Sequence, residues 1–450
     1  MSASHLAVRS LYVRLLGLTH FVAFASLALQ VEGLVGGRGI LPLGELLEWL
    51  RRNMGPERFY SVPTVFWLDA SDRALVGVAW AGAALGLLLE ASLLSIFFMP
   101  WRLRIHGDAR DPPPSRLSLL LLRLLIFRLM FSSGAVKLAS DDPTWRGFTA
   151  MQYHYETQPI PSFTAFYAQQ LPAIFQSFST LAVLGLELVV PWTIFGPRRV
   201  RLLGFWLLVG LQLLIAATGN FAFFNLLTIA LCVPLLDDAA LPWRRGAPAT
   251  AAAAPRLFER VGAWPAAIVT LPLSLLLTLH ATGVRFPWPA PVAALYQALL
   301  PLDAVNPYGL FAVMTTSRPE IVVEGSRDGE RYLEYEFRYK PGDPARRPVF
   351  VAPHQPRLDW QMWFAALGSC EGNPWFQRFL IRLREGSPPV LALLAHNPFP
   401  DEPPRYLRTT LYDYHFTSVA ERSRTGAWWR RERLGPYCPL LTPGGFGPGY

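Results

Sequence analysis

Seven apolar runs constrain the fold of this 450-residue chain more than any other feature. A helix needs about 20 apolar residues to cross the ~30 Å hydrocarbon core of a bilayer, so each run predicts a membrane-spanning helix. Only the turn signal Thr218-Gly219-Asn220 separates the fifth run from the sixth, which predicts a tight helical hairpin. The predicted spans are residues 11–31, 74–98, 117–138, 173–195, 202–217, 221–236 and 262–282.

The placement of arginine orients this bundle, because cytoplasmic loops of membrane proteins carry an excess of positive charge. With the N-terminus in the cytoplasm, thirteen loop arginines lie inside and seven lie outside. The net charge of +9 therefore reflects membrane topology, and no nucleic-acid-binding motif accompanies it. Charged residues make up 16% of the chain, against about 25% in a soluble domain, which excludes a simple cytosolic enzyme. We expect an integral, multi-pass membrane protein with residues 141–171, and everything after 283, outside the cytoplasm.

After the last apolar run the pattern changes to short alternating segments. Period-two alternation around Asp328-Gly329 predicts a β-hairpin, and residues 375–384 have the helical period. We expect a polytopic membrane domain with interfacial segments at 1–316 and an extracytoplasmic β-rich domain at 317–450. The predicted fold class is an α-helical multi-pass membrane bundle of about seven transmembrane helices with a C-terminal β-rich α+β soluble domain. The predicted strands are 321–325, 333–339 and 406–416.

An amphipathic segment lies between the first two predicted spans. Residues 46–52 combine four large apolar side chains with Arg51 and Arg52. This pattern is typical of a helix that lies in the membrane interface.

The three cysteines predict no disulfide framework. Cys232 lies in an apolar run and is expected to be a small core residue. Cys370 and Cys438 both lie in the predicted extracytoplasmic domain, where they could form a disulfide.

Lysine is rare in this chain, which has 39 arginines and only Lys137 and Lys340. Lys137 lies at the end of an apolar run. A lysine in a dry site can lose its proton and act as a base, whereas an arginine stays charged. The alternative is an interfacial lysine whose side chain reaches the lipid–water boundary.

Four other ionisable residues fall within the predicted spans, where each is costly unless it is paired or faces a wet cavity. Arg123 and Arg128 could pair with Glu90 or Glu187 from neighbouring helices. Such pairs would be structural contacts between helices, and the alternative is a polar cavity that holds a ligand.

The densest polar and aromatic segment is the predicted outer loop, residues 141–161. Within it, His154 and Glu156 would share a face in a strand but not in a helix. Neither residue fits a metal-binding spacing, and no nucleotide-binding or serine-hydrolase motif occurs, so neither a metal nor a cofactor is predicted. The candidate functional residues of the outer loop are Asp142, Trp145, Arg146, Tyr153, His154, Tyr155, Glu156 and Gln158.

The outer loop resembles the signature of the lipase maturation factor family, above all in the segment Tyr153-His154-Tyr155-Glu156-Thr157-Gln158-Pro159. Other matching segments occur in the expected order and extend the resemblance over nearly the whole chain. The region before Leu87 is shorter than the family pattern. The other segments are residues 87–91, 219–228, 306–311, 314–316, 357–363 and 373–376.

This resemblance implies a membrane-embedded maturation factor or chaperone that assists the folding and assembly of secreted proteins such as lipases, without enzymatic turnover. Eukaryotic members reside in the endoplasmic reticulum membrane with the C-terminal domain in the lumen. The arginine-rich and proline-rich composition indicates a bacterial member, located in the cytoplasmic membrane with that domain in the periplasm. Clients would be held by β-augmentation or hydrophobic contact. Four aromatic residues are candidate contacts or, alternatively, core residues of the domain: Trp360, Trp363, Trp375 and Phe376.

A fainter resemblance concerns Gly134-Ala135-Val136-Lys137-Leu138, which is similar to a motif in the membrane domain of the vitamin K-dependent gamma-carboxylase. In that family the matching lysine is proposed to be a catalytic base. The alternative hypothesis is therefore a membrane enzyme with Lys137 as base, His154 and Glu156 near the mouth of the site, and a quinol-like lipid as cofactor. It predicts that Lys137→Arg abolishes function, because arginine cannot act as a base.

Overall fold

The protein is helical in its first two-thirds, and its strands are concentrated after residue 318. The cytoplasmic segments predicted near residues 100–110 and 245–260 lie outside the described residues. The computed structural model describes residues 4–85, 89–99, 111–244, 261–309 and 311–447.

Helices account for most of the bundle, with short 3-10 turns at Val65–Trp67, Val190–Phe195, Val233–Leu235, Asp238–Ala240, Pro242–Arg244 and Leu300–Leu302. The α-helices before the sheet are α1 (Leu6–Ala28), α2 (Val31–Val35), α3 (Leu43–Asn53), α4 (Arg58–Ser61), α5 (Asp72–Leu85), α6 (Leu89–Phe98), α7 (Arg116–Ala139), α8 (Pro143–Arg146), α9 (Met151–Thr157), α10 (Phe163–Gln169), α11 (Ala173–Leu188), α12 (Arg198–Thr218), α13 (Phe224–Cys232), α14 (Ala263–Ala281) and α15 (Ala290–Leu299). Those within the C-terminal region are α16 (Arg357–Ala366), α17 (Pro374–Arg384), α18 (Pro388–Leu391) and α19 (Val419–Thr425).

Five helices in the described residues are long and apolar enough to cross a membrane, judged by length and composition. They are 19 to 24 residues long, or about 29–36 Å at 1.5 Å per residue. They coincide with five of the seven predicted spans, and they are α1, α7, α11 with its following turn, α12 and α14.

The other two predicted spans are not found as helices of that length within the described residues. The span predicted at 221–236 consists of α13 and a 3-10 turn, which together cover Phe224–Leu235. In the span predicted at 74–98 the structure describes α5 and α6, and residues 86–88 between them lie outside the described residues. The predicted turn at 218–220 does separate α12 from α13.

α7 lies inside the bundle, where it packs against α6, α11, α13 and α14. Its side chains Leu122 and Ile126 are fully buried. A Cβ atom at Gly134 would lie 2.9 Å from the Cβ atom of Glu187. Glycine at this position therefore lets α7 and α11 approach closely, as small residues do between membrane helices.

A polar cluster closes the inner end of the bundle. Asp237 accepts a hydrogen bond from Arg198 Nε at 2.6 Å, and Asp238 accepts from the backbone N–H groups of Leu6 and Val8, each at 2.9 Å. Because Arg198 begins α12 and Asp237 follows α13, the hairpin returns to the side from which it started.

The C-terminal region is built on an antiparallel sheet around one long strand, β5. Along its length β5 pairs with β1 on one side and with β6 and β7 on the other. The hairpin predicted around Asp328-Gly329 forms between β1 and β2, and Gly329 has the positive φ of 85° that such a turn favours. The strands are β1 (Pro319–Ser326), β2 (Leu333–Glu334), β3 (Glu336–Phe337), β4 (Leu394–His396), β5 (Tyr406–Phe416), β6 (Trp429–Pro436), β7 (Leu441–Thr442) and β8 (Gly445–Phe446).

Two helices cover one face of this sheet and form its core. α16 contributes Leu358 and α17 contributes Phe379, both essentially inaccessible to solvent. The helix predicted at 375–384 is therefore confirmed as α17. Cys370 and Cys438 form a disulfide with a Cα–Cα distance of 5.3 Å, and Cys232 is buried and unpaired with another cysteine.

The segment predicted to lie in the membrane interface forms α3, which exposes Leu46 and Trp49 and also contacts the C-terminal region. Glu45 of α3 lies 2.8 Å from Arg378 of α17, and Leu47 and Leu50 are buried within the protein. Ile40, just before α3, joins the core around α16 and α17. Hydropathy misses this contact because it joins residues more than 300 positions apart, and the boundary at residues 316/317 stays a prediction.

Candidate functional site: the joint between bundle and sheet

The outer loop folds into the short helices α8 and α9 and not into a strand. Asp142 caps α8 by accepting the Thr144 N–H at 2.7 Å, and it also accepts the Met314 N–H at 2.6 Å. Burial raises the pKa of Asp142, but these hydrogen bonds outweigh it and hold the pKa below its usual value. Because α9 is helical, His154 and Glu156 point to different sides.

Glu156 binds the central strand of the sheet directly. One carboxylate oxygen lies 2.9 Å from His415 Nδ1, and the other accepts the N–H of Phe416 at 2.7 Å. His415 Nε2 also lies 3.2 Å from Asp413, so the imidazole lies between two carboxylates. Glu156 therefore attaches α9 to the end of β5.

Arg318 makes the most extensive contact on this side, and sequence reasoning missed it. Its side chain is completely buried immediately before β1. The guanidinium donates to the carbonyls of Glu156 (2.8 Å), Gln158 and Pro159 (2.9 Å). It also lies 5.5 Å from the centre of the Trp429 ring. One cation thus holds three carbonyls at the end of α9 and just after it with charge-assisted hydrogen bonds.

Glu320 balances the charge of Arg318 inside the protein. Its carboxylate lies 2.8 Å from Arg318 Nη2 and 2.9 Å from Lys340 Nζ. Burial lowers the pKa of Arg318, and the neighbouring Glu320 opposes that shift. Buried charges persist only when paired in this way. A single arginine before a strand has no spacing pattern, so the sequence offers no signal for this cluster.

Asn220 forms a second attachment from the turn between α12 and α13. Its side-chain nitrogen donates to the Val349 carbonyl at 2.8 Å, and its oxygen accepts the Val351 N–H at 2.7 Å. Gln158 of the outer loop donates to the Thr218 carbonyl of the same turn at 2.9 Å. The turn therefore contacts both the outer loop and the C-terminal region.

The outer end of α1 supplies a third attachment. Ser26 Oγ accepts the Gln355 N–H at 3.0 Å. Gln30 donates to the Gln355 carbonyl at 2.9 Å and accepts the Arg357 N–H at 2.8 Å. We call the residues that fasten the C-terminal region to α9 and to the outer ends of α1 and α12 the joint. The joint comprises these bonds and the contacts of Asn220 and Arg318.

His154 lies within an aromatic enclosure beside the joint. Its ring stacks on Phe221 at 6.1 Å and meets Phe311 edge-on at 5.6 Å. Burial, with a smaller effect of the Lys137 charge, lowers the pKa of His154 to about 4. The imidazole is therefore neutral near pH 7 and acts as a packing residue.

Lys137 is buried and paired, so its side chain does not reach outward to water. Its ammonium lies 2.8 Å from Glu187 Oε2 and donates to the Ser133 carbonyl at 3.1 Å. The Trp145 ring centre is 5.2 Å away. Lys137 and Glu187 therefore form a buried ion pair between α7 and α11.

The predicted pairing of Arg123 and Arg128 with glutamates is wrong for Glu187, whose partner is Lys137. Arg123 instead donates to the Pro234 carbonyl at 3.0 Å, and Arg128 donates to Ser274 Oγ at 2.9 Å. Each arginine finds neutral oxygen acceptors inside the bundle. The side chain of Glu90 lies outside the described residues.

Most of the remaining candidates of the outer loop are packed inside the protein. Trp145 is buried and donates its indole N–H to the Phe311 carbonyl at 3.1 Å. Tyr155 is buried in a small cluster, and Tyr153 packs at the edge of another. Arg146 is exposed and bonds the Leu138 carbonyl at 3.1 Å.

Most of the aromatic residues considered for client contact lie in the domain core instead. Phe376 is fully buried, and Trp363 is buried with its indole N–H donated to the Thr157 carbonyl at 3.0 Å. Trp375 is partly buried against the same core. Trp360 is partly exposed. Within the described ranges, no group of three or more His, Cys, Asp or Glu residues could hold a metal ion.

The chain matches two family models in succession. The lipase maturation factor transmembrane domain matches residues 7–88 and 86–243, and the lipase maturation factor C-terminal domain matches residues 304–439. The first model therefore matches in two pieces that meet at residues 86–88.

Curated relatives are similar over nearly the whole chain. Lipase maturation factor 2 of Gallus gallus is 34% identical across 97% of this chain and 81% of its own length. Lipase maturation factor 2 of Homo sapiens is 32% identical across 97% and 83%. Lipase maturation factor 1 of Bos taurus is 33% identical across 96% and 89%. No solved structure matches.

Proposed function

Because the chain belongs to the lipase maturation factor family, we propose that it is a membrane-embedded maturation factor that assists the folding or assembly of secreted proteins such as lipases. The observation that carries this proposal is the occurrence of both family domains, in order, in one chain. Clients of a lipase-like kind are its proposed partners.

The proposed path crosses the membrane seven times. Two contacts support the crossings that the shorter helices would make. Asp237 after α13 bonds Arg198 at the start of α12, so the return segment covers the depth of α12. Gly37, just beyond α1, donates to Asp72 at the start of α5 at 2.7 Å, while Phe98 of α6 packs on Tyr12 near the inner end of α1.

The proposed location is the bacterial cytoplasmic membrane, with the C-terminal region in the periplasm. The excess of arginine in the other loops supports this orientation. The disulfide between Cys370 and Cys438 also supports it, because disulfides persist in oxidising compartments.

β6 is the proposed contact for an extended client segment. Within the described sheet it pairs with β5 on one side only, and Leu434 on it is 57% exposed. An edge strand offers backbone hydrogen bonds to an added strand. Its arginines Arg430 and Arg433 would favour an acidic segment and disfavour pairing between copies of this chain.

Nothing supports the alternative of a carboxylase-like enzyme. The comparisons match lipase maturation factor domains throughout, and Lys137 is held in an ion pair. A maturation role needs no catalytic base, so Lys137 is assigned a structural role in the proposal.

The proposal is tested by secretion of an active lipase from a host that lacks this chain. We expect wild-type protein to restore lipase activity per molecule secreted. Truncation after residue 317 should leave the lipase synthesised but inactive. Full lipase activity with the truncated chain would contradict the proposal.

A second pair of variants tests the edge strand without removing the domain. Leu434→Pro deletes a backbone donor on β6 and should lower lipase activity, whereas Leu434→Val keeps that donor and should not. Equal activity with the two variants would exclude β6 as the contact and leave the family role intact.

A further inference from the structure

α16 exposes an apolar stripe where a helix on a soluble domain carries polar residues. Its inner side chains Leu358 and Met362 are buried in the core. On the opposite side Phe364 is 51% exposed and Leu367 is 43% exposed. Trp360, Phe364 and Leu367 are spaced i, i+4 and i+7, which places them on one face of the helix.

The neighbouring helix shows the ordinary arrangement. α17 buries Phe376 and Phe379 and turns Arg378 and Arg382 outward, where they pair with carboxylates. The exposed apolar stripe is therefore a property of α16 and not of the whole domain surface.

Two contacts place α16 at the outer boundary of the bilayer. Its first residue, Arg357, donates its backbone N–H to Gln30, and Gln30 lies two residues beyond the end of α1. α1 has 23 residues, which span about 35 Å and so cross the ~30 Å hydrocarbon core. The Trp360 ring centre lies 6.4 Å from that of Phe221, at the outer end of the hairpin of α12 and α13.

From this placement we propose that the stripe Trp360-Phe364-Leu367 is a bilayer-contact surface that rests in the outer-leaflet interface, with phospholipid as its partner. The exposed side chains of Phe364 and Leu367 gain free energy by leaving water at this depth of a bilayer. The stripe is continuous with the membrane surface because α16 is fastened to two spanning helices.

An adjacent loop extends the same surface. Val349 and Phe350 are both exposed, and Asn220 holds the Val349 carbonyl at the outer turn. The C-terminal region would thus be fixed by the joint and also by lipid. The turn between β1 and β2 lies at the far end of β1 from Arg318, about 25 Å away along an eight-residue strand, so it is remote from the joint.

The experiment uses the full chain in phosphatidylcholine vesicles, with a fluorescent NBD label on a single introduced cysteine. Phe364→Cys and Leu367→Cys place the label on the stripe, and Glu330→Cys in the exposed turn between β1 and β2 is the matched control. Cys232 is buried and the other two cysteines are bonded to each other. Labelling of the unaltered chain therefore gives the background fluorescence. Thermal unfolding of each labelled protein verifies that it is folded.

Labels on the stripe should be quenched by lipids with a nitroxide near the headgroup and protected from aqueous iodide. The label at residue 330 should behave in the opposite way. Iodide quenching at 364 and 367 equal to that at 330 would overturn the proposal. Shielding of the stripe only after a secreted lipase is added would also overturn it and assign the surface to a client.

Discussion

Replacing Arg318 by methionine should weaken the joint more than any other single change at the surface between bundle and sheet. The substitution keeps an apolar side chain of similar length but removes the cation that binds three carbonyls of the outer loop. It also leaves the buried carboxylate of Glu320 with Lys340 as its one remaining charged partner among the described residues.

The magnitude follows from these contacts. Breaking a buried ion pair by removing one partner costs about 3–5 kcal/mol, and hydrogen bonds to a charged group contribute about 1.5–3 kcal/mol each without being additive. Because Lys340 still compensates part of the Glu320 charge, we expect a loss of about 4 kcal/mol. For a 450-residue chain that unfolds as one unit, this loss corresponds to a fall in Tm of about 4 °C.

Arg408→Met is the matched control, because Arg408 of β5 also pairs with a glutamate of β1, Glu324, but is half exposed. Exposed pairs contribute about 0–1 kcal/mol. The assay is the thermal unfolding of the purified full chain in detergent, read by loss of the monodisperse peak. Equal melting temperatures for the Arg318→Met and Arg408→Met proteins would refute the reasoning.

Three further changes test the interior. Lys137→Met should destabilise the fold by about 3–5 kcal/mol, because it leaves the buried Glu187 carboxylate without this cation. Adding Glu187→Gln should recover most of this loss. If the Tm shifts of the two single variants simply add in the double variant, the ion pair is not the cause. His154 is neutral in the fold and its pKa of about 4 lies below its unfolded value, so stability should fall as the pH drops from about 6.5 toward 4. The loss of stability should be about 2 kcal/mol at pH 5. If Tm falls with pH as steeply in His154→Asn as in wild type, His154 is not the group responsible. Replacing Cys370 and Cys438 together by alanine opens a loop with a sequence separation of 68 and should cost about 4 kcal/mol; a melting temperature equal to that of wild type under non-reducing conditions would show that the bond does not stabilise the fold.

Local pattern was enough to predict most of the secondary structure. Five of the seven apolar runs appear as long helices. The turn at Thr218-Gly219-Asn220 and the hairpin around Asp328-Gly329 also appear, and all of these features depend on neighbours in sequence. Helix α3, for which the sequence predicts an interfacial location, also forms. Its contact with α17 joins residues that are distant in sequence.

The partners inside the protein could not be predicted in the same way. Glu187 had three cationic candidates on α7, and hydropathy does not distinguish Arg123, Arg128 and Lys137. The rotation and depth of α11 decide between them, and these depend on close packing at Gly134. Arg318 was missed because its acceptors are backbone carbonyls, which leave no trace in side-chain composition.

The outer loop illustrates the difference between finding a site and assigning its role. Its residues were found because polar and aromatic side chains are unusually dense there. Their role depends on contacts from β5 and from the residue before β1. Glu156 and Gln158 therefore act through the joint, and His154 acts through its packing.

The central claim is that the C-terminal region is fastened to the outer end of a membrane bundle, outside the cytoplasm. The most direct test is labelling of Arg424→Cys by a membrane-impermeant maleimide in intact cells, before and after lysis. The claim predicts full labelling of this exposed position in intact cells, with no labelling of the unaltered chain. Labelling that appears only after lysis would place the region in the cytoplasm and contradict the claim.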